Sequence, residues 1–510
     1  MKKPTKSIIV STLLAVAFGA LSVGSTFALF TSQSQTEIEV QSGKVDLRTT
    51  ASATTLKGFS MNPSDNEGEV ERNDGTFYNG GTYALDGTIL TLDKITPGDR
   101  VEFKMNADNQ SNVSIKYRFG IVPSGDATLL NALKLTINGN ETPVYYRSNW
   151  TLLEPTDDLP AAQEEMTVVV SLPKEIGNEC QNLSASLVFG FEAVQGNAAV
   201  KDDIDINEDG ATITSLTGWN LLAYQVNNGL NDYSGYTVKL DRDLDFADSL
   251  FNEIGTKAHP FKGSFDGNGQ TVKNASKDFA SYEQDESYAG LIGYFNHTDS
   301  TKPGEIKNLK AENISFTNAY YAGGIVGNYW SNSGNLHDCE VKNVTLTAAR
   351  NGGGVMGGGW SQEVYNCKAE NVNITLTPVW LGTEYDDGND AGGLIGGCPD
   401  QGDTKVIRNN VVKNVTIKAY RNIGSIIGKA YYDHLTFKNN TVEGVVNFTI
   451  DQQTGWYGDK AIQLDFPGRT DAEYCCVGIG TLLGSSTSGS DIEDASNSTS
   501  AWNTTINLHA

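Results

Sequence analysis

The residues best placed to do chemistry in this chain are carboxylates. Glu384, Asp386, Asp387 and Asp390 crowd the run TEYDDGND. Such a group can hold a hard cation such as Ca2+, which takes oxygen ligands, or work in pairs on a glycosidic bond. In an insertion loop it merely faces water. Asp205, Asn207 and Asp209, followed by Gly210, copy the first half of an EF-hand loop, but its twelfth position is Leu216 where that loop needs a bidentate Glu. The bland alternative is a solvated acidic linker. Calcium is the one cofactor these residues admit, and neither group demands it.

Trp330, Trp360 and Tyr431 each stand three residues after a glycine that closes a short repeat, so they would form a glycan-binding stripe down one face. Two sister repeats have Asn296 and Pro399 there, and packing over the turn is the competing use. His259, His297, His337, His434 and His509 have no second histidine at ligand spacing, and there is neither an HExxH helix nor a GxSxG elbow. The expectation is a chain that binds rather than catalyses.

The elements that would carry these residues are repeats. AGLIG ending at Gly293, AGGIVG at Gly327, GGGVMG at Gly357, AGGLIG at Gly396 and IGSIIG at Gly428 are five copies of one motif, spaced 34, 30, 39 and 32 residues apart. That period signals a solenoid. A strand-like partner follows each copy, in register on Asn313, Asn343, Asn371, Asn414 and Gly444. Four residues earlier stand Leu309, Cys339, Cys367, Asn410 and Asn440, all small or medium side chains. Runs such as Val344-Thr345-Leu346 alternate apolar and polar residues with period two, as half-buried strands do.

The reading is a right-handed parallel β-helix, with aliphatic positions inside and glycines at the corners. The repeated Asn either builds a ladder of amides from rung to rung or starts solvated turns. Cys339 and Cys367 fall at one rung position, close enough for a disulfide, with two stacked thiols as the simpler state. The repeats resemble the glycine-rich GLUG repeats of bacterial surface proteins, which implies location and architecture and no reaction.

At 510 residues the chain must hold more than one domain. Its net charge of −25 excludes condensation on nucleic acid or anionic lipid, both of which need basic patches. Lys2, Lys3 and Lys6 precede an apolar run from Ile8 to about Leu21, with a small-residue cleavage site between Ala28 and Leu29. This is a secretory signal, and no later run is long and apolar enough to span a membrane once it is removed.

Residues 29–197 alternate in short strands with turn chemistry such as Pro97-Gly98-Asp99, the pattern of an antiparallel sandwich. The signal ending in TFALF, the SGKVDL strand, the ITPGD turn leading to FKMNADNQSNVSIKYRFGI, and the closing FGFEAVQ resemble the TasA and camelysin family of Gram-positive secreted proteins. That resemblance implies a jelly-roll, export by the SipW type of signal peptidase, and assembly into extracellular fibres. It also implies that the segment from Leu29 to about Leu47 completes a neighbour's sheet, unless it pairs within its own subunit. Camelysin has been classed as a peptidase, yet the residues for proteolysis are missing here. The polar, glycine-rich stretch from Thr49 to Thr82 reads as an insertion.

The organisation expected is therefore a signal peptide (1–28), a sandwich (29–197), an acidic linker (198–210), a β-helix (211–460), and closing strands with a flexible tail (461–510). A helix over Gly218–Asn227, with Thr217 as N-cap and Trp219, Leu222, Ala223 and Val226 on one face, would cap the β-helix. The function that follows is a secreted surface or matrix protein that self-associates into fibres or docks on them, with a glycan or host-surface ligand. The alternative is a polysaccharide-active β-helix enzyme tethered by the sandwich.

Overall fold

The computed structural model describes the chain from 31 to 509, apart from 34–38, 41–42, 46, 62–67, 110, 112, 145, 154–162, 208–209, 248, 280–286, 298–303, 332–333, 362, 378–389, 399–404, 420–421, 431–434, 452–462, 465–477, 481–482 and 487–501. It divides into two units, with the boundary between Asp202 and Asp203. The cleavage site at Ala28 and Leu29 lies outside the described residues.

The first unit is a sandwich of two six-stranded antiparallel sheets. One runs Thr151–Leu153, Ile115–Gly125, Ser184–Gln195, Ile89–Asp93, Thr82–Asp86, with Thr31–Gln33 also on Ser184–Gln195. The other runs Asn140–Thr142, Lys134–Ile137, Gln163–Ser171, Arg100–Asn109, Leu47–Met61, Glu69–Arg72. Alternation along each strand sends one side inward. Phe103 thus meets Phe189 edge-on at 5.3 Å, and Phe119 meets Phe191 at 5.2 Å.

The stretch expected to be an insertion contains a core strand instead. Leu47–Met61 runs beside Arg100–Asn109, with the register broken between Ser52 and Lys57. Thr55 repairs the break: its hydroxyl donates to the Ser52 carbonyl (2.8 Å) and accepts from the Lys104 amide (2.9 Å). Its threonines and serines fit a pleated strand as well as they fit a loop, so hydropathy alone misplaces it.

The second unit is a three-faced parallel β-helix. The first face stacks Gly210–Ile213, Thr237–Leu240, Ser264–Asp266, Ile306–Lys307, Asn335–His337, Glu363–Tyr365, Lys405–Arg408 and Leu435–Lys438. The second is built on Lys310–Gly323, Glu340–Gly353, Lys368–Leu376, Val411–Ala419 and Thr441–Asp451, continued on later rungs by Asp390–Gly392 and Asn422–Gly424. The third stacks Ile292–His297, Val326–Ser331, Met356–Trp360, Ile395–Cys398, Ile427–Ala430 and Leu483–Ser486. The aliphatic residues of the glycine motif, Leu291, Ile325, Val355, Leu394 and Ile426, are wholly buried in its core. Burial of each stabilises the stack by about 1.5–3 kcal/mol.

A sixth copy of the motif, GIGTLLG, was missed in the sequence because only its glycines and leucines survive. Gly478–Gly480 pairs with Asn422–Gly424, and Leu483 sits opposite Ile427. Trp502–His509 extends the second face in parallel with Thr441–Asp451, so this part of the expected flexible tail is strand.

Within the segment expected to be a linker, Ile204–Asn207 forms an antiparallel hairpin with Gly210–Ile213 at the first rung. The capping helix spans Leu216–Asn227 and starts two residues earlier than expected. Ser215, not Thr217, is the N-cap, its hydroxyl accepting from the Gly218 amide at 3.0 Å. Trp219 is fully buried against Phe246, Phe251 and Phe265, and its indole N–H donates to the Asn252 carbonyl at 2.9 Å. The helix thus closes the end where apolar core would otherwise meet water.

Candidate binding face of the solenoid

Glycine and asparagine divide the work of the rungs differently from the expectation. Gly293, Gly327, Gly357, Gly396 and Gly428 do not sit at left-handed corners. They stack on one another: a Cβ on Gly327, Gly357, Gly396 or Gly428 would come within 2.7, 2.6, 2.2 and 2.5 Å of the carbonyl oxygen of the closing glycine one rung before. Close backbone approach, not positive φ, requires them.

The left-handed corners belong to asparagine, whose short amide tolerates that region. Asn313, Asn343, Asn371 and Asn414 have φ of 57°, 56°, 57° and 55°, and Gly444 takes 76° on the next rung. Their side chains bond in a column. Asn343 Nδ2 donates to Asn313 Oδ1 (3.0 Å), Asn371 to Asn343 (2.9 Å) and Asn414 to Asn371 (3.0 Å). Below, Asn313 donates to Asn274 (3.2 Å) and Asn274 to Asp245 (2.7 Å). Above, Asn414 Oδ1 accepts from the Val445 amide at 3.0 Å. The corner throws the column outward, so Asn313 and Asn343 are exposed, not buried.

A second column escaped the sequence reading, although each of its positions holds Asn or Asp. Asn308, Asp338, Asn366, Asn409 and Asn439 all have φ between 53° and 57°. Asn308 bonds to Asp266 (3.0 Å), Asn366 to Asp338 (3.0 Å) and Asn409 to Asn366 (3.4 Å).

One residue further along, the small-residue position is interior. Cys339 and Cys367 are free, buried thiols there. Asn410 Oδ1 accepts from the Cys367 amide (2.9 Å), while its Nδ2 donates to Asn440 Oδ1 (2.9 Å) and to the Val364 carbonyl (3.1 Å). Fully partnered, a buried amide is tolerated in such a core.

The outward side of the first face brings charged groups from several rungs together. His337 stacks on the Tyr365 ring at 4.6 Å and 7°, and the Arg408 guanidinium lies 4.2 Å from the centre of the same ring. His337 Nδ1 is 2.6 Å from Asp338 Oδ2, while Nε2, without a hydrogen bond among the described residues, is 3.7 Å from Glu305 Oε1. Lys307 pairs with Glu305 (2.7 Å) and Arg408 with Glu363 (2.8 Å). Burial pushes the Asp338 carboxyl up, but hydrogen bonds from His337 and Asn366 outweigh it and hold it below the usual range. Sequence reading left His337 isolated because, Asp338 apart, its partners come from other rungs.

Of the acidic loop, Glu384, Asp386 and Asp387 lie outside the described residues. Asp390 does not face solvent: it is 1% exposed, on the second face, and accepts from Asn422 Nδ2 at 2.6 Å. Asp209 is outside the described residues, while Asp205 and Asn207 are exposed in the hairpin. A hairpin strand does not wrap a cation as an EF-hand loop does, and among the described residues no cluster of three or more His, Cys, Asp or Glu is placed to hold a metal. Trp330 and Trp360 are register partners on the third face; Tyr431 lies outside the described residues.

Neither a family model nor a curated protein matches the chain. Two solved structures show a distant likeness. One is a Bacteroides ovatus protein provisionally described as an immunoglobulin A1 protease, with 15% identity and a TM-score of 0.35, covering 59% of this chain and 78% of the other. The second is named IgA1 protease, with 12% identity and a TM-score of 0.31, covering 90% of this chain and 29% of the other. This chain thus spans under a third of that protein's length. Both likenesses are too slight to bear on activity.

Proposed function

We propose that this chain is a secreted, non-enzymatic protein of a Gram-positive cell surface or extracellular matrix, its sandwich joining it to fibres and its β-helix displaying a binding face. The observation that carries this reading is the double lock between rungs. Glycine stacks and two asparagine columns hold a rod on which outward side chains recur at fixed spacing, which suits display more than a moving catalytic cleft. The first-face charges are mutually paired, Lys307 with Glu305 and Arg408 with Glu363.

Fibre assembly would proceed by strand exchange. Among the described residues Thr31–Gln33 pairs with Glu192–Val194, a contact that the same segment of a second copy would replace. Electron microscopy of the mature protein with and without residues 29–47 tests this. Filaments from the full form alone support exchange; equal filaments from both remove it.

A polysaccharide-active enzyme is the second reading, favoured by the placement of His337 between the carboxylates of Asp338 and Glu305 with two cations nearby. Loss of chain cleavage in His337→Gln, on a polysaccharide that the native protein shortens, would establish it.

A further inference from the structure

We propose that the corner between the second and third faces is a binding groove for a neutral saccharide chain. This rests on the display reading above and gives the displayed face a place and a ligand class. Asn351, Asp390 and Asn422 are register partners on the second face. Their chain neighbours Ala391 and Ile423 point into the core, so these three side chains point out of it. Across the corner the third face carries Asn328, Gly358, Gly397 and Lys429 in register. A Cβ on Gly358 would stand 2.8 Å from the Tyr321 ring and 3.0 Å from Asn351 Nδ2; one on Gly397 would stand 2.8 Å from Asn351 Nδ2 and 3.1 Å from Asp390 Oδ2. Side chains of the second face therefore lie over bare backbone of the third.

One end of this corner is aromatic. Tyr288 lies 4.9 Å from Tyr294 and 5.4 Å from Tyr321, with the Arg350 guanidinium 5.8 Å from the Tyr321 ring centre. The remainder is polar and incomplete. Asn328, Asn351 and Asn422 are 4%, 5% and 1% exposed, yet the Oδ1 of each has no hydrogen-bond partner among the described residues. Three buried acceptors without donors are costly. The ladder logic explains two of them. Asn422 donates down to Asp390, as amides do in the outer column, but an ionised Asp390 has no proton to pass to Asn351, and the residue opposite Asn422 on the next rung is Gly478.

The missing partners are hydroxyl donors. A pyranose offers them around its ring, together with an apolar face that packs on tyrosine. Five rungs at about 4.8 Å give a track of roughly 19 Å, long enough for several sugar units. An extended peptide repeats its outward groups every ~6.7 Å and falls out of step with the rungs. An acidic glycan is opposed by the net charge of −25. Tyr321 and Asn351 rest on Gly358 and Gly397 by their flexible ends, and rotation of those ends admits the ligand.

Affinity electrophoresis of the full-length chain tests this, in gels containing laminarin, galactomannan or polygalacturonate. Retardation by a neutral polysaccharide is expected. Tyr321→Ala and Gly397→Ala should each weaken it at least tenfold while circular dichroism shows both variants folded; the new Cβ in Gly397→Ala meets only side-chain ends. Failure of both neutral polymers to retard the chain, equal retardation by polygalacturonate, or native binding by Tyr321→Ala would overturn the proposal. Filament formation is scored separately: filaments without saccharide binding sink the groove alone, and binding without filaments sinks only fibre assembly.

Discussion

Gly396 sits so close above Gly357 that a Cβ on Gly396 would stand 2.2 Å from the Gly357 carbonyl oxygen. The obstacle is backbone of the neighbouring rung, so the stack must part to accept a methyl group. Gly396→Ala should cost about 3 kcal/mol of stability, at the upper end of overpacking penalties. Gly397→Ala, one residue away, should cost less than about 1 kcal/mol. Urea melts of the two variants side by side check the contrast, and equal midpoints would refute it.

Asn343 combines a left-handed backbone with bonds to Asn313 and Asn371. Asn343→Ala should lose about 2 kcal/mol, from backbone strain of about 1–2 kcal/mol and weakened bonds at an exposed site. Asn343→Gly keeps the backbone and should lose only about 1 kcal/mol, the share of the bonds. The order of the two variants in chemical denaturation is the test.

Burial pushes the Cys339 thiol well up, and its neighbour Cys367 pushes it further. A thiol that ionises so reluctantly reacts slowly. Brief alkylation of the native protein followed by peptide mass spectrometry should find both cysteines unmodified, and the same treatment in denaturant should modify both. Rapid native labelling would contradict the packed column.

Asp74 accepts from the Thr76 hydroxyl (2.7 Å) and amide (3.0 Å), with Arg72 nearby, and these partners lower its carboxyl to about 2. A depressed carboxylate contributes stability above its unfolded value, and that contribution disappears as pH falls through the folded one. NMR titration of Asp74 should give a midpoint near 2, and Thr76→Ala should move it up. A midpoint at the ordinary aspartate value in the native chain would discount the turn.

Trp219 fills the end of the solenoid core. Trp219→Ala should cost about 3–5 kcal/mol by the usual range for a buried large-to-small change, and should expose the first rungs to limited proteolysis. Scission expected near 203–260 is read by mass spectrometry, and a variant as resistant as the native chain would mean that the helix is not the cap.

Much of the solenoid was legible because a β-helix repeats locally: each rung must supply the same aliphatic residues and glycines, so the period survives in the chain. The motif at Gly327, Gly357 and Gly396 could be aligned without any knowledge of contacts. What could not be read was why each residue type stood where it did. Glycine suits both a positive φ and a close approach, and only the carbonyl of the next rung tells them apart. The strand Leu47–Met61 was similarly hidden, because its threonines and serines are shared by strands and polar loops.

Composition, periodicity and the position of small residues determined by themselves that the chain is β-rich, divided, and stacked in its second half. The tertiary structure alone decided which polar groups meet. His337 finds Glu305 and Tyr365, and Asn351 finds Gly397, across about 30 to 50 residues of chain, because rung length varies with each loop while the distance between rungs does not.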